Sequence, residues 1–393
     1  MILKLKNSLK FYKWGSIDFL ADTYNIHNSK KLPIAELWIG THYQNPSKVY
    51  YNNQLRLLSE IINIDPDKFL GNAVAKYFGE LPFLFKILCI DNPLSIQVHP
   101  KKSFAKRGFL KENKLSIKLD MNKRNYKDKN HKPELIYAIT DFHALIGFRN
   151  CSQIIPLLDK IIDIHPLISK FQNRPNNSNL LKLLKYFLCL KNNEKIIALK
   201  ILKSNIKYLK TEPWKTIKNV MINYPEDNGL FLLIFLNIFS LKPGEALFVP
   251  PGIPHTYLKG NAIEISANSD NVIRAGLTSK HIDISDFLIN IQFKETFKNQ
   301  ILIKTKKLKN EIQFLIPIKD FAFAVHSLQN IHQTIYQKSM AILFCISGEF
   351  SIIKNNKNIL FKSGESCFVS ADEMPIIITG NGCIARVFNK DMN

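Results

Sequence analysis

The chain has 393 residues, 46% of them apolar and 22% charged, which excludes a disordered or fibrous protein and leaves apolar mass for two or three packed domains. Its longest apolar stretch, Leu230 to Leu241, is interrupted by Asn237 and Ser240 and falls short of the about 20 residues a spanning helix needs, so no membrane partner is expected. Basic residues outnumber acidic ones by 54 to 32, a net charge of +22, but the lysines are spread over the whole chain beside an equal excess of Ile and Asn. That spread reads as compositional bias and not as a nucleic-acid footprint, while still favouring anionic small molecules.

The start, MILKLKNSLKFYKW, is broken by polar residues and lacks the apolar core of a secretory signal, which points to the cytoplasm. From Ile2 to about Ile146 the pattern is one of short β-rich runs separated by Gly, Pro, Asn and Asp. Between Cys151 and Val220, segments such as IIPLLDKIIDI, NLLKLLKYFLCLK and EKIIALKILKSNIKYLK space apolar residues three and four apart, as amphipathic helices do. The β pattern then resumes from about Phe231 to the end. Six cysteines (Cys89, Cys151, Cys189, Cys345, Cys367, Cys383) form no CxxC pair and read as buried reduced thiols.

A repeat runs through the later β part. Pro243-Gly244-Glu245-Ala246-Leu247-Phe248-Val249 recurs as Ser363-Gly364-Glu365-Ser366-Cys367-Phe368-Val369, each after an apolar run. Such self-similarity predicts two copies of one β-unit of the cupin jelly-roll type, in which a downstream His points into the barrel. The first copy has His255 there; the second has Pro375 and is expected to be degenerate. The expected fold is therefore mainly β with a helical insertion: a catalytic jelly roll from residues 1–150 and 225–300, a helical domain at 151–224, and a degenerate cupin-like unit at 301–393.

Three segments carry candidate chemistry. On Leu94 to Pro100, strand alternation places Ser95, Gln97 and His99 on one face and Ile96 and Val98 on the other. In Tyr126 to Leu135, a polar loop with Lys132 runs through Pro133 to Glu134 at the mouth of an apolar strand. Around His255, prolines at 250, 251 and 254 stiffen the approach, and the segment continues through Glu264 and Asp270 to Arg274. His99, His255, Glu134 and Gln97 together offer two imidazoles, a carboxylate and an amide oxygen, a donor set that suits zinc and leaves iron open. Lys86, Lys132, Arg274 and Lys280 add positive charge that fits a phosphorylated substrate. No nucleotide loop is present.

YKDKNHKPE at 126–134 and HTYLKGNAIEISANSDNVIRAGLTSK at 255–280 resemble the two signature segments of the type I phosphomannose isomerases, and LPFLFKILCIDNPLSIQVHP at 81–100 is similar to that family as well. The likeness extends over nearly the whole chain. It implies an enzyme that interconverts mannose 6-phosphate and fructose 6-phosphate, with one Zn²⁺ per chain held by Gln97, His99, Glu134 and His255, and with Arg274 in the active site. It further implies that Ser95, Lys86, Lys132, Tyr257, Glu264, Asp270 and Lys280 line the substrate pocket. Thr256, Ser266 and Ser279 depart from the family's usual Ala, Met and Pro.

Isomerisation through a cis-enediol needs a base, for which Glu264 is the candidate with a zinc-bound water as its rival, and Lys132 and Ser95 are favoured for the phosphate. The chain is expected to act as a monomer on a small sugar phosphate, without nucleic acid or membrane. An iron-dependent oxygenase and a catalytically idle sugar-phosphate sensor are the rival readings.

Overall fold

The structure is a computed structural model that describes residues 1–118, 121, 123–354 and 357–390. The described residues form antiparallel β-sheets together with thirteen α-helices, and none of these helices is long and apolar enough to cross a membrane. The chain divides into two compact units: one from Met1–Cys89, Ala262–Asn268 and Ile303–Asn393, the other from Ile90–Asn261 and Ser269–Leu302.

The first unit contains a nine-stranded sheet. Its main path runs Ile2–Lys4, Ser366–Val369, Ala341–Lys354, Ile376–Phe388, Ala322–Gln329, Glu311–Phe314 and Thr305–Lys307. The two longest strands pair along most of their length and bring Gly348 opposite Gly382. A Cβ on Gly348 would stand 2.1 Å from the Asn381 carbonyl oxygen, and one on Gly382 would stand 2.0 Å from that of Ser347. Only glycine permits that approach, and with φ of +73° and +152° the pair lets the sheet curl into a half-barrel. Leu343, Cys345, Phe350, Ile352, Ile378 and Ile384 of this sheet are buried together in one apolar cluster.

The repeat read in the sequence is reproduced bond for bond. Gly244 and Gly364 both take positive φ, +90° and +84°. Glu245 turns its carboxylate back onto the Lys242 N–H at 2.7 Å, and Glu365 does the same to the Lys362 N–H at 2.9 Å. Each turn then feeds a four-residue buried strand, Ala246–Val249 and Ser366–Val369. The Gly-Glu pair is thus a turn device, with the acid satisfying a backbone donor that the turn would otherwise strand.

In the second unit, helices Cys151–Leu158, Leu167–Asn173, Asn177–Leu188, Asn192–Ile206 and Trp214–Asn223 follow the amphipathic spacing. They do not form a core of their own. Ile154, Phe171, Leu183, Phe187, Leu202 and Trp214 belong to one buried cluster with Ile96, Val98 and Ile273, which are strand residues. The helical block therefore covers the back of those strands.

Two expectations are corrected. The region up to Ile146 is not all β: it includes Phe19–Tyr24, Leu58–Ile62, Pro66–Leu70, Asn72–Phe78 and Lys102–Lys114. The first four have five to seven residues, too few to display a helical period, and the fifth buries only Ala105, Gly108 and Glu112, so it has no apolar stripe to read. The six thiols are free, but Cys189 is exposed and Cys151 and Cys383 are half-buried; Cys189 sits at the end of a helix, where the apolar run leaves the core.

Inside the first unit His326 is buried against Arg386, Glu311 and Gln333, and burial, reinforced by the Arg386 charge, lowers its pKa to about 4. Between that value and the ordinary value near 6.5 the unfolded chain binds more protons, so stability falls as pH drops through this window and is flat above it. The His326→Gln variant should escape a loss on the order of 3 kcal/mol that the parent suffers between pH 7 and pH 4. Urea midpoints at the two pH values measure it, and equal losses in the two proteins would sink the assignment.

Candidate metal centre

The site grows from three antiparallel strands. Ile96–Val98 pairs with His255–Ala267 on one side and with Ile273–Gly276 on the other, so Gln97 faces His255 across one ladder and Arg274 across the other. Directly opposed residues share a face, which places His255, Gln97 and Arg274 together and leaves Ile96, Val98 and Ile273 for the helical core behind. One alternation beyond Gln97 comes His99, whose carbonyl is pinned by the Gly252 N–H at 2.8 Å. Glu134 opens the strand Glu134–Ala138 opposite Val249, as the proline before it predicted.

These positions bring two imidazoles and a carboxylate into contact. His99 Nε2 lies 3.0 Å from Glu134 Oε1 and His255 Nε2 lies 3.6 Å from Oε2, and all three side chains are at most 1% exposed. Each ring's other nitrogen is committed: Nδ1 of His99 donates to the Asn271 carbonyl at 2.7 Å and Nδ1 of His255 to the Ile253 carbonyl at 2.9 Å. A carbonyl only accepts, so Nδ1 carries a proton in both rings, and in the neutral form of each ring it is Nε2 that presents the lone pair. Neither Nε2 has a hydrogen-bond partner. Acceptors turned toward one another without a proton between them repel; a cation bound there turns the same arrangement into ligation. Ligand atoms of His99, Glu134 and His255 lie within 4.8 Å of one another, and two imidazole nitrogens with a carboxylate oxygen are donors that Zn²⁺ accepts.

The electrostatics agree with that reading. Burial pushes the Glu134 carboxyl up, yet the Lys132 ammonium beside it outweighs that and holds the group well below the usual carboxylate range. Lys132 Nζ stands 2.5 Å from Oε1, and the Tyr257 hydroxyl donates to Oε2 at 2.7 Å. His255 is lowered by burial to about 4, so its ring is a free base at neutral pH.

The remaining sequence-predicted residues fall in several places. Ser95 is half-buried just before the Gln97 strand, Asp270 is half-buried in the loop leading to Arg274, and Lys280 is exposed beyond it. Lys86 and Glu264 lie in the other unit as a buried ion pair, Nζ to Oε1 3.0 Å, with Lys86 also 5.0 Å from the Trp38 ring centroid. Thr256 is buried with its hydroxyl on the Leu94 carbonyl at 2.8 Å, so its polar atom is satisfied. Sequence reasoning missed the carbonyls of Asn271 and Ile253, which select the imidazole tautomers. Main-chain acceptors leave no signal in residue type.

Zn²⁺ added to chelator-treated protein should raise its thermal midpoint in proportion to the logarithm of free metal, because ligands and fold are linked. His255→Ala should abolish that rise. A variant that is stabilised as much as the parent would remove His255 from the ligand set.

A buried imidazole–carboxylate cluster on a β-sheet, in a chain with a repeated Gly-Glu turn, is the mark of a β-rich metalloenzyme. The family model for phosphomannose isomerase type I, catalytic domain, matches residues 2–151, and that for mannose-6-phosphate isomerase, cupin domain, matches residues 310–389. The mannose-6-phosphate isomerase of Escherichia coli (strain K12) is 46% identical over 388 residues, covering 98% of this chain and 99% of the relative; that of Homo sapiens is 29% identical, covering 95% and 94%. A crystal structure of the Salmonella typhimurium mannose 6-phosphate isomerase bound to fructose 6-phosphate and zinc superposes with a TM-score of 0.96 at 44% identity, over 99% of this chain and 100% of that one. The chain belongs to the type I mannose-6-phosphate isomerase family.

Proposed function

We propose that this chain interconverts mannose 6-phosphate and fructose 6-phosphate through a cis-enediol, with one Zn²⁺ held by His99, His255, Glu134 and Gln97. The convergence of two imidazole Nε2 atoms on a buried, ionised carboxylate carries the reading. When bound there, zinc supplies a Lewis acid that offsets negative charge developing on the sugar oxygens.

The chain's own residues supply the rest. In the forward direction a proton leaves C2 and is returned to C1, while the hydroxyl proton passes from O2 to O1, so no outside oxidant is needed. Glu264 takes the part of the base; its support is a carboxylate only 4% exposed, set against the Lys86 ammonium. Arg274, on the same face as Gln97, offers a permanent charge and fixed N–H donors to the enediolate oxygens. Lys132 and Ser95 are assigned to the phosphate, with Lys86 and Lys280 as further phosphate contacts and with Asp270 and Tyr257 lining the rest of the substrate pocket. The Tyr257 hydroxyl and Lys132 ammonium already engage Glu134, so both also steady the ligand carboxylate.

The finer architecture is part of the same proposal: a catalytic jelly roll from 1–150 and 225–300, a helical insertion at 151–224, and a degenerate cupin-like unit at 301–393. The two family matches and the duplicated Gly-Glu turn support it. A cytoplasmic setting fits six free cysteines.

Chelator-treated protein incubated with fructose 6-phosphate should generate mannose 6-phosphate signals by NMR only when Zn²⁺ is restored; a silent spectrum with Zn²⁺ present defeats the proposal. Arg274→Ala should lower kcat by about 10²–10³ with a smaller change in KM. Glu264→Gln should cost about 10²–10⁴ in rate, and retention of most activity would exclude Glu264 as the base.

A further inference from the structure

Asp128 and Asn271 stand in two different loops, one leading into Lys132 and Glu134, the other into Arg274. The Asn271 side chain is fully buried and uses its whole bonding capacity between them. Its Oδ1 accepts from the N–H groups of Lys127 and Asp128 at 2.7 and 3.2 Å, and its Nδ2 donates to the carbonyls of Asp128 and Asn130 at 3.0 and 2.8 Å and to Asp128 Oδ1 at 3.0 Å. Asp128 answers by accepting from the Ser269 hydroxyl at 2.9 Å and from the Asp270 N–H at 2.7 Å. The same Asn271 whose side chain is locked in this way offers its carbonyl to His99 Nδ1.

We infer that Asp128 and Asn271 form a latch that positions the metal ligand His99, with the Asn271 carbonyl held where it fixes the Nδ1–H tautomer and aims Nε2 at Glu134. The inference rests on the metal-centre reading and deepens it. Neither latch residue touches the metal donors through its side chain. Both are positioning residues, acting through a carbonyl that would drift once the loops part. Groups that orient a metal-binding imidazole through its second nitrogen typically control affinity by 10–100-fold. The latch also ties that control to the segment carrying Asp270 and Arg274, so that metal retention and placement of the substrate-facing loop share one set of bonds.

The test is competition for Zn²⁺ between the full-length apo chain and a chromophoric chelator, with the Co²⁺ absorption spectrum as a reading of ligand geometry. Asn271→Ala keeps the carbonyl but frees it, and Asp128→Ala opens the latch from the other side. Each should weaken Zn²⁺ binding by about 10–100-fold and alter the Co²⁺ bands, and the double variant should lose little more than either single one. Unchanged affinity in a variant whose thermal midpoint has dropped overturns the inference and leaves the pair purely structural. Failure of the parent to bind Zn²⁺ would instead defeat the metal-centre reading itself. Should both variants fail to fold, Ser269→Ala removes one hydroxyl from the latch; a loss of about threefold or more supports it and an unaltered affinity overturns it.

Discussion

A carboxylate ionised in a dry interior, facing the Nε2 atoms of two buried imidazoles, is unstable unless positive charge is close. Moving such an ion from water costs several kcal/mol even after relaxation. Lys132 and Tyr257 meet part of that cost with a short contact on each Glu134 oxygen. What they cannot meet is the facing of His99 Nε2 and His255 Nε2 toward the same carboxylate, which a divalent cation resolves. The surrounding construction follows from this constraint: rigid prolines before His255, main-chain carbonyls holding both Nδ1 protons, and a strand order that sets Gln97 between His255 and Arg274.

Much of this was legible in the chain itself, for identifiable reasons. Period-two alternation separates Gln97 and His99 from Ile96 and Val98, because a strand buried on one face and polar on the other must alternate. The long helices between residues 151 and 223 declare themselves by apolar stripes, and the Gly-Glu turn by its recurrence. Where the signal was weak, the structure differs. Helices of five to seven residues show no period, and Lys102–Lys114 hides its contacts behind lysines. Lys132 and Tyr257 could be recognised as belonging to the site, but that both side chains meet Glu134 depends on strand packing that no spacing rule encodes. Asn271 is the sharpest example: an ordinary asparagine in the quoted motif, its importance lies in a carbonyl.

The two Gly-Glu turns separate scaffold from chemistry. Backbone conformation, the acid's return to a lysine N–H, and the buried four-residue strand are the same in both. In one copy the chain continues to His255 and the metal donors. In the other Pro375 stands at that position, and the unit buries a different polar set, Arg386 against Glu311 at 2.7 Å with His326 nearby. Turn geometry is a property of the fold, whereas the interior is free to change its occupants.

The shared core behind the Gln97 strand makes the helices partners in catalysis without touching it. Phe187 and Leu183 pack in the same cluster as Ile96 and Val98, the reverse side of the strand that presents Gln97. An inherited lesion in a helix, far in sequence from any ligand, would thus act as a heat-labile defect of cofactor retention. Growth at lower temperature or a surplus of metal, which binds only the folded chain, would offset it.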